Sequence, residues 1–195
     1  MTLPFSQSCE NNKEPILTVL KEAFSSVRQV LEIGAGTGQH SAFFAPALPH
    51  LKWQCADLAV NLAGIKQWHE AYPSANLLPS IELDMANPLW PTGFDAVFSA
   101  NSAHIMPWPL TQKMLVEVAT HLPPGGVFAL YGPFNYKGDF TSESNERFDR
   151  FLKEQAPHMG IRDFEAVNDL ACISGLKLHE DKPMPANNRC LIWEK

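Results

Sequence analysis

The sequence predicts an α/β fold: a single domain, doubly wound around a mostly parallel seven-stranded sheet with an antiparallel C-terminal strand. Three observations carry that prediction. The apolar run Val30-Leu31-Glu32-Ile33 leads straight into Gly34-Ala35-Gly36-Thr37-Gly38, and Gln39-His40-Ser41-Ala42-Phe43-Phe44 continues it, so strand, glycine-rich turn and helix follow one another. Short β-type runs alternate with helical periodicities along most of the chain, as parallel βαβ units require. Near the end, two strand-like runs are joined by a connection short enough to make them an antiparallel pair.

Taken in order, residues 11–24 place Ile16, Leu17, Leu20 and Phe24 at helical spacing behind the polar starters Glu10 and Asn11. Residues 29–33 are apolar on both faces, as a central strand covered by helices must be. The helix after the glycines ends by Pro46. A second strand over 52–56 closes on Asp57, about 20 residues past the glycines. Leu62, Ile65, Trp68 and His69 share one face of a helix over 61–72, which stops before Pro73. Residues 76–81 supply a third strand. Pro91-Thr92-Gly93 turns the chain into a fourth over 94–99, with 101–104 as the loop at its carboxyl end. Thr111 caps a helix bearing Met114, Leu115, Val118 and Leu122, which Pro123-Pro124-Gly125-Gly126 breaks before a fifth strand over 127–131. Residues 132–144 read as a polar loop with Phe134, Tyr136 and Phe140 interspersed, either a pocket wall or a loop packed on its own side chains. A helix starting at Ser144 or Asn145 carries Phe148, Phe151 and Leu152, and Asp163 caps another that ends at Gly175. Strands over 176–179 and 190–193 complete the sheet.

At 195 residues, 45% apolar and 18% charged, the chain fits one folded domain covering residues 1–195. A net charge of −6 disfavours the broad basic surface that nucleic acid attracts. The four cysteines form no CxxC pair, so neither a zinc knuckle nor a disulfide framework is expected, and they read as reduced, mostly packed thiols. Residues 1–14 lack the basic and apolar regions of a signal peptide, and no apolar run approaches the roughly 20 residues that span a bilayer. A cytoplasmic protein without a membrane partner or a metal is the expectation.

A glycine-rich turn at the carboxyl end of a strand can hold a dinucleotide or an adenosyl ligand. The dinucleotide fingerprint G-x-G-x-x-G puts its third glycine one position later than Gly38, so a nicotinamide-dependent oxidoreductase would need another spacing. Glu32-Ile33-Gly34-Ala35-Gly36-Thr37-Gly38, with an acidic residue ahead of the first glycine, resembles motif I of the class I S-adenosylmethionine-dependent methyltransferases. The likeness covers nearly the whole chain, through the strand order, Asp57 after the second strand and Leu83-Asp84 before the fourth. More narrowly, Asn12-Lys13-Glu14-Pro15-Ile16-Leu17, Tyr131-Gly132-Pro133-Phe134, Phe140-Thr141-Ser142-Glu143-Ser144-Asn145 and Met184-Pro185-Ala186-Asn187-Asn188 are similar to a small methyltransferase-like subfamily of bacteria and animals whose substrate is undefined.

The resemblance implies a Rossmann-like methyltransferase fold and S-adenosylmethionine as cofactor. Matched position by position, Gly34, Gly36 and Gly38 would approach its methionine part, and Glu32 would help set that loop. Asp57 would accept from the two ribose hydroxyls, Asp84 from the adenine amino group, and Ser99 and Ala100 would line the methionine side. Plainer readings stand beside these: glycines serving only a tight turn, Asp57 as a helix cap, Glu82 competing with Asp84. On the acceptor side, outside the carboxyl ends of the strands, His104 is the candidate base, with Asn101 and Tyr131 orienting a polar acceptor or else capping and packing. Met106, Trp108 and Phe134 are either an apolar acceptor wall or core, and Asn187, Asn188 and Arg189 either meet an anionic substrate or form a solvated turn. No Asp/Asn-Pro-Pro-Tyr loop is present, which disfavours a nucleobase. The expected activity is methyl transfer to a small-molecule or protein acceptor; the alternative is a non-catalytic S-adenosylmethionine or S-adenosylhomocysteine-binding module acting through a protein partner.

Overall fold

The computed structural model describes residues 2–195. Its strands are β1 (Gln29–Ile33), β2 (Lys52–Asp57), β3 (Leu77–Glu82), β4 (Ala96–Ala100), β5 (Val127–Asn135), β6 (Arg162–Asp163), β7 (Lys177–Met184) and β8 (Asn188–Glu194). The helices are α1 (Gln7–Ala23), α2 (Gln39–Ala47), α3 (Ala59–Ala71), α4 (Trp108–His121), α5 (Glu143–Gln155) and α6 (Phe164–Ile173). The sheet runs β3-β2-β1-β4-β5-β8-β7, with the two-residue β6 pairing off β5. β1 through β5 are parallel, and β8 lies antiparallel between β5 and β7. This is the doubly wound sheet expected from the sequence, extended by β6.

Alternation along buried strands splits the core in two, because successive side chains leave a strand on opposite faces. Val30, Phe98 and Ala129 join Ile16 and Leu20 of α1, its C-cap Phe24 and Phe44 of α2 on one face. Leu31, Val97 and Phe128 join Met114 and Val118 of α4 and Val167 of α6 on the other. The first face is anchored by Phe44, Trp53 and Phe98, whose rings lie 5.5–5.8 Å apart in tilted and edge-on pairs. Such pairs add about 0.5–1.5 kcal/mol each beyond the area they bury. β1 and β4 are also tied at their starts, where the Asp95 carboxylate accepts from Gln29 N at 2.7 Å and Arg28 N at 2.9 Å.

Several boundaries differ from the sequence expectation, each for a local reason. α1 begins at Gln7 because Ser6 Oγ accepts from Cys9 N and caps it one turn early. Thr111 is not a cap: α4 starts at Trp108 behind Pro107, and the buried Thr111 hydroxyl donates to Ala103 O at 3.2 Å. Asp163 occupies the N-cap of α6 without a side-chain capping bond. The polar stretch after residue 131 is not all loop. β5 runs to Asn135 because β8 pairs with it as far as Pro133↔Asn188 and β6 pairs with Phe134 and Asn135, and Phe134 is core. Two thiols are packed as expected, those of Cys55 and Cys190, whereas Cys9 is half-buried and Cys172 exposed. α5 belongs to neither helical layer; Phe148, Phe151 and Leu152 line a cleft at the carboxyl end of the sheet. Among the described residues, no helix is long and apolar enough to cross a membrane.

Candidate active site

The chain leaves β1 through a turn whose backbone is unavailable to most residues. Gly36 sits at φ 59°, and a Cβ there would meet nothing within 4 Å, so the space beside it is cleft. Gly38, at φ 86°, answers a different demand, since a Cβ would come within 2.9 Å of the Ile65 Cα on α3. Asp57, at the end of β2, holds the turn from the side: Oδ2 accepts from Gly36 N at 2.6 Å, and Oδ1 from Leu58 N at 2.7 Å and Asn61 Nδ2 at 2.8 Å. Asn61 is a residue the sequence reading missed; its position one helical turn after Asp57 was the available signal.

Below the turn, Glu32 is fully buried and points along the sheet, accepting from Trp53 Nε1 at 2.7 Å and Cys55 Sγ at 3.3 Å. Burial pushes its carboxyl up to about 7, against those two hydrogen bonds and helped by the Asp57 charge. The side chain therefore braces β1 against β2 and makes no direct bond to the glycine turn. Ser99 is likewise placed beneath the cleft, its hydroxyl donating to Ile33 O at 2.7 Å and shared with Ser102. Ala100, the next residue, lines the cleft.

The cleft has three compartments. An apolar cavity of about 380 Å³ is walled by Ile33, Leu83, Met85, Ile105, Met106 and Leu110, with Asp57 and Asp84 at its edge. Asp84 Oδ1 accepts from Ala86 N at 2.8 Å; Glu82, its competitor in the sequence, is exposed and outside this cavity. A central compartment of about 650 Å³ runs past Gly34, Ala35, Gly36, Ala100 and His104. Its far wall is the N-terminal segment, strapped down by Trp68 Nε1 donating to Pro4 O at 2.6 Å and by Ser6 bonding Gln39. A third cavity of about 380 Å³ opens beyond Asn101, walled by α1, α5 and the β7–β8 turn. Asn101 lines all three, held at φ 56° with its N–H on Tyr131 O at 2.9 Å.

His104 is buried, its ring edge-on to Phe148 at 5.4 Å. Burial, with the Arg162 charge adding, lowers its pKa to about 4, so the imidazole is neutral at pH 7. Arg162, which no local pattern marked, fixes the loop by donating to Ala103 O, Met106 O and His158 O at 2.7–3.0 Å. Burial pushes the Tyr131 hydroxyl up to about 12. Neither group is poised to take a proton near pH 7. The other sequence candidates separate: Phe134 is core, Trp108 packs half-buried on the second core face, and Met106 alone of the three lines the cleft. Arg189 is committed to Asp181, Nε to Oδ1 at 2.7 Å, which removes it from an anion site, while Asn188 lines the third cavity.

A sheet of this order with one antiparallel strand, a glycine turn after β1 and an acidic residue closing β2 defines the fold of the class I S-adenosylmethionine-dependent methyltransferases. The chain belongs to the family described as "Protein of unknown function (DUF938)", which it matches over residues 3–195. Among solved structures it is similar to an O-methyltransferase family protein from Burkholderia thailandensis, at 18% identity and a TM-score of 0.82, covering 96% of this chain and 57% of that one. Human N-acetylserotonin methyltransferase in complex with S-adenosylmethionine matches at 16% identity and a TM-score of 0.82, covering 97% and 53%. An O-methyltransferase family 2 protein from Planctomyces limnophilus in complex with apigenin matches at 14% and 0.77, covering 95% and 62%. The chain thus spans between half and two thirds of the length of these structures.

Proposed function

We infer that the chain is a single S-adenosylmethionine-binding domain that transfers a methyl group to a small-molecule acceptor. The observation that carries this reading is the continuity of the cleft: an apolar cavity edged by two carboxylates, a compartment beside a glycine turn, and a third cavity beyond, all meeting at Asn101. The donor set fits the cofactor. An apolar slot edged by Asp84 suits a purine with its amino group, Asp57 offers acceptors for ribose hydroxyls, and the open space at Gly36 admits the chain between them. That the Planctomyces structure holds apigenin and the human protein is named for N-acetylserotonin supports a small molecule over a protein.

When bound, S-adenosylmethionine would supply a methyl carbon on a cationic sulfur, for an acceptor whose lone pair would take the carbon while the sulfur kept the bonding pair and the acceptor proton passed to water. The chain's own contribution is placement. Asp57, Asp84 and the glycine turn fix one partner, and Asn101, Tyr131 and the neutral His104 hydrogen-bond and orient the other. Holding reactants in attack geometry supplies about 7–11 kcal/mol, whereas a positioned base adds about 3–5 kcal/mol, so a site without a working base retains most of the effect.

Titration with S-adenosylhomocysteine by calorimetry tests the cofactor assignment: micromolar to submillimolar binding is expected, and no heat at millimolar ligand overturns it. One observation favours a second reading, a non-catalytic binding module acting through a protein partner, namely the two candidate proton acceptors held away from neutral pH. Tight S-adenosylhomocysteine binding with no labelled methyl passed to any lysate component would decide for the module.

A further inference from the structure

The third cavity differs in chemistry from the rest of the cleft. Five asparagines border it, Asn11 and Asn12 from α1, Asn101 after β4, Asn145 from α5 and Asn188 from β8, together with Tyr131; among the described residues, its wall holds no Asp, Glu, Lys, Arg or His. A charged ligand entering there would give up water without meeting a counter-charge, which costs several kcal/mol per ion. A neutral ligand with hydrogen-bonding groups loses nothing of the kind.

The hydrogen bonds already made inside the chain orient these amides. On one wall, Asn11 Oδ1 accepts from Gln7 Nε2 at 2.9 Å and Asn12 Oδ1 is taken by His40 Nε2 at 2.7 Å, so the NH₂ groups are the ends that α1 leaves without a partner among the described residues. The Tyr131 hydroxyl, on the same side of the cavity, makes no hydrogen bond among the described residues, which leaves its O–H free to donate. On the opposite wall the polarity is reversed. Asn145 Nδ2 is spent on Thr141 Oγ1 at 2.9 Å and Asn187 O at 3.2 Å, and Asn188 Nδ2 on Pro185 O at 3.1 Å. Their Oδ1 atoms accept no hydrogen bond among the described residues. Donors therefore face acceptors across the cavity, and Asn101, whose amide bonds nothing among the described residues, stands at its door to the central compartment.

We propose that this cavity binds a compact, uncharged carboxamide, with the ligand's C=O toward Asn11 and Tyr131 and its N–H toward Asn145 and Asn188. Calling that ligand the methyl acceptor rests on the methyltransferase reading above; the binding site itself does not. Opposed donors and acceptors match a group that carries an acceptor and a donor on the two atoms of one carbonyl carbon, and they select against a carboxylate, which only accepts, and an ammonium, which only donates.

Three probes of one shape test this: benzamide, benzoate and benzylamine, titrated into the intact protein at pH 7 and followed by the side-chain NH₂ resonances of its asparagines, with and without saturating S-adenosylhomocysteine. Benzamide is expected to bind at least roughly tenfold more tightly than either ion, the size of one buried hydrogen bond lost. Asn188→Asp, which puts a charge at the cavity wall, should reverse the order in favour of benzylamine. Equal binding of the three, no binding of any at tens of millimolar, or an order unmoved by Asn188→Asp overturns the carboxamide site. Benzamide preference without S-adenosylhomocysteine binding would leave the site standing and sink the methyltransferase reading; cofactor binding without the preference would do the reverse.

Discussion

The compartments beside the glycine turn are built from backbone and from residues close in sequence. Gly34 through Gly38, Asp57 and Asn61 lie on two successive β-to-α turns, and the geometry is fixed by φ values and by one carboxylate that bridges the two turns. The amide-lined cavity has the opposite construction: its walls are side chains from α1, the β4 loop, α5 and β8, brought together from positions 11 to 188. Backbone-built sites are rigid by construction, since a bent turn has few alternatives. Side-chain-built sites exist only while distant elements stay docked, here through bonds such as Asn145 Nδ2 to Asn187 O. The first kind suits a ligand that many proteins share, and the second is where one protein differs from another.

The largest expected effect breaks the backbone side. Gly38→Ala places a Cβ 2.9 Å from the Ile65 Cα at a φ of 86°, so strain of about 1–2 kcal/mol and overpacking of about 1–3 kcal/mol add. A loss of roughly 2–5 kcal/mol in urea denaturation is expected, and a variant as stable as the parent would show that α2 and α3 slide apart freely. Gly36→Ala has open space and should cost only the conformational part, so the two substitutions compared at one turn separate packing from backbone.

Next in size is the pH dependence of stability. Burial lowers His40 and His104 from 6.5 to about 4, so the unfolded chain binds more protons between those values. Their contribution, roughly 3 kcal/mol each, is whole above pH 6.5 and is lost as pH falls toward 4. Glu32 has the opposite sign: raised from 4.5 to about 7, it stabilises the fold fully below pH 4.5 and loses that contribution as pH rises through 7. The two slopes oppose each other between pH 4.5 and 6.5, and one histidine is left uncancelled. Glu32→Gln keeps an acceptor for Trp53 and removes the falling limb, so its stability relative to the parent should climb by up to roughly 3 kcal/mol between pH 4.5 and 7.5. Urea midpoints at four pH values decide this, and parallel curves would mean that Glu32 ionises normally.

The same contrast explains what could be read before the structure. The strand order, the glycine turn, Asp57 and Asp84 are local signals, and the fold of the class I methyltransferases follows from them. Ser99 was named as lining the site, but a strand of five residues does not say what its hydroxyl meets, and it is tied to Ile33 O on the neighbouring strand. Arg162 and Asn12 were out of reach for another reason: their partners, Ala103 O and His40, lie 59 and 28 residues away in sequence. Residues 132–135 carried loop composition, and only the pairing with β8 up to Pro133 and with β6 beyond it made them strand.

A third substitution measures how much the carboxylate between the two turns does for binding. Asp57→Ala removes the acceptor for Gly36 N, Leu58 N and Asn61 Nδ2 together with any for the ribose. S-adenosylhomocysteine should bind roughly 10- to 100-fold more weakly, with benzamide unaffected if the two ends are separately built. A parallel loss of both would show that the ends are coupled.

The smallest effect falls where the two constructions meet. Asn101 has a backbone that glycine would adopt freely and a side chain that borders every compartment, so two substitutions divide its roles. Asn101→Gly removes the amide but accepts φ 56°; relief of strain and the added entropy of the unfolded chain are both near 0.5–1 kcal/mol, so stability should stay within about 0.5 kcal/mol of the parent. Asn101→Ala removes the same amide and cannot take that backbone cheaply, which costs roughly 1 kcal/mol. If the amide orients the acceptor, both variants transfer methyl equally poorly despite their different stabilities. If only the bend matters, Asn101→Gly keeps the activity that Asn101→Ala loses, and the junction belongs to the backbone side of the cleft.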